Sequence, residues 1–376
     1  MLHLAPCAAA DADGPEDPNS SGRQSRHFAL SFWAAATQAQ ASEAPRHLRK
    51  RVKFFLRALS QPRLTRAWLA RLVQPDLAPL WALRPRLALK LQRPYLCCAW
   101  GPLERFAALF GHYEALSRLF AAEARTAIFD KGVSLVRLVG SPSGQRLDVR
   151  LFYHDRFEKE GELTLAIRDV KTGLALAGLT FSLVNNAGRP IAIIGGVQAG
   201  NDPRMRDLIH IAAKDMHGLR PKALALWCLQ QFSPPWQITQ LQAVGDSQHV
   251  WRHWRKRLTI AACYDEFWRE SDGRRLAGGG WELPLRPRPR SRQELKPSRR
   301  RQHELRYALL DALQPKLLAA LAALAPGRDA ASALAAGPVE FRVSSQTAAV
   351  PPGPRETADA PASFLSPAPR ALNHSF

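Results

Sequence analysis

The sequence has no long apolar run and few of the motifs that mark common enzyme classes. No window approaches the roughly 18 apolar residues of a membrane-spanning helix, so we expect no transmembrane span. G-x-S-x-G, Walker A and C-x-x-C patterns are absent. Their absence removes support for an α/β-hydrolase, a P-loop nucleotide triphosphatase and a zinc ribbon. The first residues also lack the basic and apolar regions of a signal peptide, which favours a soluble cytoplasmic protein.

Cysteine is scarce, and its spacing does not suit a metal. There are five cysteines, an odd number, and the adjacent pair Cys97 and Cys98 is badly placed to chelate one ion. This usage is typical of reduced thiols in a reducing cytoplasm. His249 and His253 have the i, i+4 spacing of zinc ligands on a helix, but no third ligand follows at a matching distance. We therefore expect no metal.

Acidic residues are few relative to basic ones. The chain has 53 Lys and Arg against 32 Asp and Glu, a formal net charge of +21. Such an excess attracts anions, so an anionic ligand, an acidic lipid surface and nucleic acid are all candidate partners. An Arg-rich proteome would give the same excess without a function, and both explanations stay open. The expected location is the cytoplasm, with peripheral attachment to the inner membrane as an open alternative.

Composition and periodicity divide the chain into six segments. Low-complexity composition predicts disordered tails, and proline-punctuated helical spacing predicts a helical subdomain before an α+β core. A run with a single acidic residue predicts a basic linker ahead of a last amphipathic helix. The segments are a tail at 1–45, a helical subdomain at 46–130, a core at 131–285, a linker at 286–301, a helix at 302–324 and a tail at 325–376.

Within the core, the hydrophobic period changes from helical to alternating. Alternation predicts an antiparallel meander of about four strands, centred on 149–153, 163–167, 179–183 and 191–197. Helices follow from Pro203 to His217 and from Pro221 to Leu229, and a short buried strand is expected at Ile238–Val244. The fold class is therefore α+β, with a mixed, mainly antiparallel sheet.

The segment Gln248–Glu270 concentrates tryptophan, arginine and carboxylates. Arginine beside indole suits a phosphate or a flat base, which makes Arg252, Arg255 and Arg257 candidate anion-binding residues. The alternative is an internal network in which the carboxylates of the following helix neutralise these arginines. The composition favours the internal network.

A glycine-rich stretch after the fourth strand predicts a turn that leads into a helix. Glycines allow a close approach of the backbone, and the N–H groups of a helix start bind anions. The order of meander, glycine turn, helix, strand and helix resembles the acyl-coenzyme A-binding region of GCN5-related N-acetyltransferases over about 149–285. This resemblance in layout makes acyl-coenzyme A a candidate ligand. The candidate cofactor-binding residues are Gly195, Gly196, Gln198, Gly200, Asn201, Arg204 and Arg206.

Three residues are candidates for proton transfer in such an enzyme. His217 is the side chain most easily protonated near neutral pH, although a helix-capping or helix-packing role is the favoured interpretation. Tyr264 and Asp265 are the other two. Arg299, Arg300 and Arg301 end the basic linker and are the candidates for binding nucleic acid or anionic lipid. A solvated linker is the alternative.

Nine ordered motifs identify a resemblance to the VirK/YbjX family over about 46–315. They are KFFLRALSQPRLTRAWL, LQRPYL, HYEAL, FEKEGELTL, IGGVQAGN, KDMHGLRPKALAL, AVGDSQHVWRHWRKR, YDEFWRE and RYALLDAL. The resemblance implies a Gram-negative bacterial protein associated with virulence, stress response and resistance to antimicrobial peptides. It implies no established reaction, and it carries over no catalytic residues. An acyltransferase-like enzyme and a non-enzymatic module for an anionic partner are the two function hypotheses.

Overall fold

A computed structural model describes residues 32–33, 48–186, 188–251, 264–291 and 293–343. Proline opens several of the helices, because its missing N–H costs nothing in the first turn. The helices before the sheet are α1 (Leu48–Leu59), α2 (Pro62–Leu72), α3 (Ala78–Leu83), a 3-10 helix (Pro85–Gln92), α4 (Pro102–Leu119) and α5 (Ala122–Asp130). No helix within the described residues is long and apolar enough to cross a bilayer.

The first five strands form the predicted meander with one strand added at its start. They are β1 (Val133–Val139), β2 (Leu147–Phe152), β3 (Leu163–Asp169), β4 (Ala175–Asn186) and β5 (Arg189–Gln198). Each pairs antiparallel with the next. β4 and β5 are buried along most of their length, and helices, including α4, pack against β4.

The remaining elements extend the sheet at both edges. They are α6 (Met205–Asp215), α7 (Pro221–Phe232), β6 (Gln240–Ala243), α8 (Tyr264–Glu270), β7 (Arg274–Arg275), β8 (Trp281–Leu283), α9 (Pro297–Ala322), α10 (Ala330–Ala336) and β9 (Val339–Arg342). The described strands make one sheet in the order β7-β8-β6-β5-β4-β3-β2-β1-β9. β5 with β6 and β1 with β9 are its parallel pairs. The expected α+β class with a mixed, mainly antiparallel sheet is confirmed.

Two predicted boundaries at the C-terminal side differ from the structure. The basic linker ends earlier than residue 301, because α9 starts at Pro297 and takes in its last arginines. Residues 325–343, assigned to a disordered tail, form α10 and β9 instead. Alanine is a strong helix former, and the Asp329 side chain caps α10 by accepting from the N–H of Ser332. β9 gains its order from β1, as the bond from Val343 N to Val139 O shows (2.7 Å).

A short piece of the predicted N-terminal tail also packs on the fold. Phe32 is fully buried in a small apolar cluster with Phe54, Ala58 and Leu89. Trp33 meets Phe55 edge to face, with ring centroids 5.6 Å apart. α1 therefore contacts both residues of this piece: Phe32 through the apolar cluster and Trp33 through Phe55.

Candidate active site

Three alternate glutamates lead into β3, and all three are buried. Glu158, Glu160 and Glu162 belong to the motif FEKEGELTL and are at most 6 % exposed. A charged carboxylate is costly to bury unless it is paired or protonated. Each of the three has its own set of partners, so the motif connects three different parts of the fold.

The outer two glutamates are ion-paired. Glu158 accepts from the guanidinium groups of Arg86 and Arg93. Glu162 pairs with Lys90 and accepts a hydrogen bond from the Tyr113 hydroxyl (2.7 Å). Burial raises the pKa of Tyr113, and the charge of Glu162 raises it further, so the phenol stays a donor. These contacts join the helices to the start of β3.

Glu160, between them, forms no ion pair with a lysine or arginine among the residues that the structure describes. Its Oε1 accepts from the indole Nε1 of Trp251 (2.7 Å), and its Oε2 accepts from the side-chain amide of Gln198. His249 lies beside it, with Nε2 3.7 Å from Glu160 Oε1, too far for a hydrogen bond. Burial raises the pKa of Glu160 to about 7, although both donated hydrogen bonds oppose the rise. This carboxyl group therefore titrates near neutral pH.

Two glycines of β5 make the space that Glu160 occupies. A Cβ on Gly195 would lie 1.9 Å from the Glu160 carbonyl oxygen, and one on Gly196 would lie 2.3 Å from Glu160 Oε2. Neither distance is compatible with a side chain. The glycines were predicted to form a turn that holds a cofactor. Both instead lie inside β5. Glycine is required at these positions because a larger residue would displace Glu160.

β5 separates from β6 at the same point. The two strands pair as far as Ile194 and Ala243, and Val244 N donates to Ile194 O (2.9 Å). On the other side of β5, Thr180 faces Gly196 and Phe181 faces Ile194, so Gly195 is the extra residue of a β-bulge. Bulges of this kind often lie next to active sites. Beyond the bulge, β4 is the one described strand that pairs with β5, and the Glu160 carboxyl group lies against this portion of β5.

His249 and Tyr264 complete the cluster around Glu160. Their rings stack with centroids 4.9 Å apart. Burial lowers the pKa of His249 to about 4, and the nearby Asp246 charge offsets only part of this. Between about pH 4 and about pH 7, His249 and Glu160 are both neutral, so their contact is not an ion pair. Burial raises the pKa of Tyr264, as does the charge of Glu160.

Of the three predicted proton-transfer residues, the structure brings only Tyr264 to this cluster. His217 follows α6 with a left-handed φ of 52°, and its carbonyl accepts from Arg306 (3.1 and 3.2 Å). Burial and the charges of Arg306 and Arg301 lower the pKa of His217.

Asp265 takes part in a reciprocal helix cap. Its Oδ1 accepts from Asp246 N (3.0 Å) and from Trp281 Nε1 (2.8 Å). Asp246 returns the contact by accepting from the N–H groups of Tyr264 and Asp265 at the start of α8. The other oxygen of Asp265 pairs with Arg275 (3.1 Å). Arg275, which lies outside the Gln248–Glu270 segment, is thus one ionic partner of this carboxylate.

The other predicted cofactor-binding residues divide between the cluster and the turn after β5. Gln198 belongs to the cluster, whereas Gly200 and Asn201 are exposed in the turn. Arg204 is held by a bidentate pair with Asp202 (both 2.9 Å). The same carboxylate accepts from Arg204 N, and Asp202 O accepts from Met205 N, so part of the anion-binding capacity of this turn is already used. Arg206 is exposed in the first turn of α6.

The predicted anion-binding residues fall in two places. Arg252, Arg255 and Arg257 lie outside the described residues. Arg299, Arg300 and Arg301 form the first turn of α9, where Arg301 is 3.9 Å from Glu304 and Arg300 Nε is 3.4 Å from Leu295 O.

Sequence reasoning missed the three buried glutamates as site residues. The letters E-K-E-G-E resemble a solvated turn, and their partners lie far away in the sequence. One signal was present: three carboxylates at every second position, directly before a strand of alternating apolar residues.

The comparisons with known proteins place the chain in a family. A family model described as "Protein of unknown function (DUF535)" matches residues 43–319. The chain belongs to this family. It is 32% identical over 272 residues to the uncharacterized protein YbjX of Escherichia coli K12, covering 71% of this chain and 82% of that one. The VirK/YbjX resemblance is thereby confirmed.

A second relative is more distant. An uncharacterized protein of Haemophilus influenzae is 26% identical over 119 residues, which cover 32% of this chain and 40% of that protein. No solved structure matches the chain. The DUF535 family match includes the glutamate motif, the bulge and the Trp251 segment.

Proposed function

We propose that this DUF535 protein is an acyltransferase-like enzyme that binds acyl-coenzyme A where β5 separates from β6. The observation that carries the proposal is the buried carboxyl group of Glu160, whose pKa lies at about 7 beside the bulge at Gly195. A proton acceptor for catalysis works best when its pKa lies near the working pH. Glu160 meets that requirement.

The arrangement of strands also supports an acyl donor at this point. β5 parts from its parallel neighbour β6 at the bulge, and beyond Gly195 none of the described strands pairs with β5 on the β6 side. The backbone there suits the amide-rich arm of coenzyme A. The exposed turn at Gly200 and Asn201 and the first turn of α6 would receive its phosphates, with Arg206 nearby. Virulence, stress response and resistance to antimicrobial peptides stay proposals about its biological setting.

The chemistry assigns roles to two residues of the cluster. The acceptor amine attacks the thioester carbon and the C–S bond breaks, while ionised Glu160 takes the proton from the amine. The coenzyme A thiolate leaves and takes a proton. Tyr264 is the candidate donor, because burial keeps its phenol protonated. Gln198 and Trp251 hold the Glu160 carboxyl group in place.

Calorimetry with acetyl- and long-chain acyl-coenzyme A tests binding, and thiol release in the presence of amines tests turnover. Glu160→Gln keeps the shape of the side chain, so we expect binding within about threefold of wild type and turnover lower by about 100-fold or more. Glu266→Gln, on the exposed face of α8, is the control and should match wild type. No binding heat at high protein concentration would reject the proposal.

A second candidate is a non-enzymatic module that binds an anionic polymer or surface through the start of α9. Burial lowers the pKa of His303, and the charges of Arg306, Arg290 and Arg299 lower it further. These three arginines therefore lie near one another, around His303. Gel shift with nucleic acid and flotation with anionic vesicles, each at two salt concentrations, separate the two kinds of partner. Binding lost in R299Q/R300Q/R301Q but kept in Gly200→Ser favours the module.

A further inference from the structure

The outer face of α1 carries an exposed apolar stripe. Val52, Leu56 and Leu59 are 41%, 59% and 45% exposed. Successive helix residues are turned by about 100°, so these three side chains share one narrow sector opposite Phe54 and Ala58. Phe54 and Ala58 are buried against Phe32 and Leu89. The helix therefore has two apolar faces, of which the fold uses one.

The sequence on both sides of this stripe carries charge of one sign. Between residues 44 and 75 the chain has no Asp or Glu. The same interval contains nine basic residues: Arg46, Arg49, Lys50, Arg51, Lys53, Arg57, Arg63, Arg66 and Arg71. Lys53 and Arg63 are exposed, and Arg57 holds α1 in place by donating to the Gln92 carbonyl (2.7 Å). The helix is fixed to the fold while its outer side stays basic and apolar.

We propose that α1 is a membrane-surface helix that binds acidic phospholipid. An amphipathic helix with basic residues beside an apolar face lies in the plane of a bilayer, with aliphatic side chains among the acyl chains and cations among the headgroups. A protein partner fits less well, since three aliphatic side chains fall short of the area of a stable interface and Lys is depleted there. Nucleic acid offers no place for the aliphatic stripe.

This surface is separate from the Glu160 cluster and from the start of α9. The proposal therefore stands whether or not the protein transfers acyl groups. It assigns a peripheral, reversible attachment to an anionic leaflet, because one short helix gives modest affinity by itself.

Vesicle flotation of the full chain tests the proposal. Vesicles of phosphatidylethanolamine with phosphatidylglycerol should carry the protein at low salt, and vesicles of phosphatidylcholine alone should not. V52S/L56S/L59S should weaken flotation by about tenfold or more. L103S/I211S/V339S removes three comparably exposed aliphatic side chains from other elements and should float like wild type.

Other outcomes would overturn it. R299Q/R300Q/R301Q should float like wild type, and loss of flotation in that variant alone would place the lipid site at α9. Equal flotation of V52S/L56S/L59S and wild type would also reject the proposal. If light scattering without vesicles shows that V52S/L56S/L59S dissociates a dimer, the stripe binds a second copy of the chain instead. Circular dichroism and the unfolding midpoint verify that each variant is folded.

Discussion

Lys90 and Glu162 form an ion pair in which neither side chain reaches solvent: they are 2% and 0% exposed. Lys90 also donates to the Glu158 carbonyl (3.1 Å) and lies over the rings of Tyr95 and Tyr153 at 5.5 and 5.0 Å. The pair therefore fixes the glutamate motif to the 3-10 helix that contains Lys90. Because Glu162 is two residues from Glu160, the ion pair also helps to hold the candidate active site in place.

Lys90→Met should lower the free energy of unfolding by about 3–5 kcal/mol, because it leaves Glu162 as an uncompensated buried charge. The double variant K90M/E162M should recover at least half of that loss. Urea unfolding measures both. The exposed pair of Arg288 and Glu294 is the control, and Arg288→Gln should cost less than about 1 kcal/mol. A Lys90→Met loss as small as the control would mean that the buried pair is not ionised.

Glu160 should give the protein a recognisable dependence of stability on pH. Its pKa is about 7 in the folded chain against an ordinary value of 4.5, so the folded state holds the proton more tightly than the unfolded state. This contribution to stability is complete below about pH 4.5 and is lost as the pH rises to about 7. Relative to Glu160→Gln, wild type should lose about 1.4 kcal/mol per pH unit across that window. Urea unfolding of both proteins at several pH values gives the difference, with Glu266→Gln as control. Parallel curves for wild type and Glu160→Gln would show that Glu160 is ionised throughout.

Gly195→Ala should destabilise the protein by about 2 kcal/mol or more, since the added methyl group meets the backbone of Glu160. Gly178→Ala, in the neighbouring strand β4, is the matched control: its new Cβ would meet only ordinary contacts, the nearest at 3.6 Å from Thr164. Thermal unfolding compares the two. Equal effects of both changes would mean that the chain at Glu160 moves aside easily.

Asp265→Ala should cost about 1–3 kcal/mol, because the N–H groups of Asp246 and Trp281 lose their acceptor. Asp265→Asn retains one oxygen and should cost less. Both variants should still bind acyl-coenzyme A if Asp265 has only the capping role that its contacts indicate. Urea unfolding and calorimetry on the same samples separate the effects. Loss of turnover at unchanged stability would instead restore Asp265 as a proton-transfer residue.

Much of the fold follows from local patterns. Pro102 and the apolar stripe after it predict α4, and the alternation around Leu165 predicts β3, because both signals act within a few residues. β9 has no such signal. VEFR is short and mostly exposed, and it becomes a strand only because β1 provides unpaired backbone groups.

The candidate site was harder to predict for the same reason. Gln198 and Tyr264 were identified, but the carboxyl group that they surround was not. Glu160 is brought to Trp251 by tertiary structure alone, and no local pattern distinguishes it from an exposed glutamate. Gly195 and Gly196 were predicted to form a turn, whereas they lie inside β5 and leave room for Glu160.

The pairing of Val136 with Val339 has a consequence for synthesis on the ribosome. β1 leaves the exit tunnel well before its partner β9, which lies about 200 residues further along the chain. During that interval the outer edge of β1 is open to other nascent strands. A premature stop or proteolytic cut before Val339 would make this state permanent. Products that end after α9 should therefore be recovered mainly as aggregates, even though they retain every residue of the Glu160 cluster.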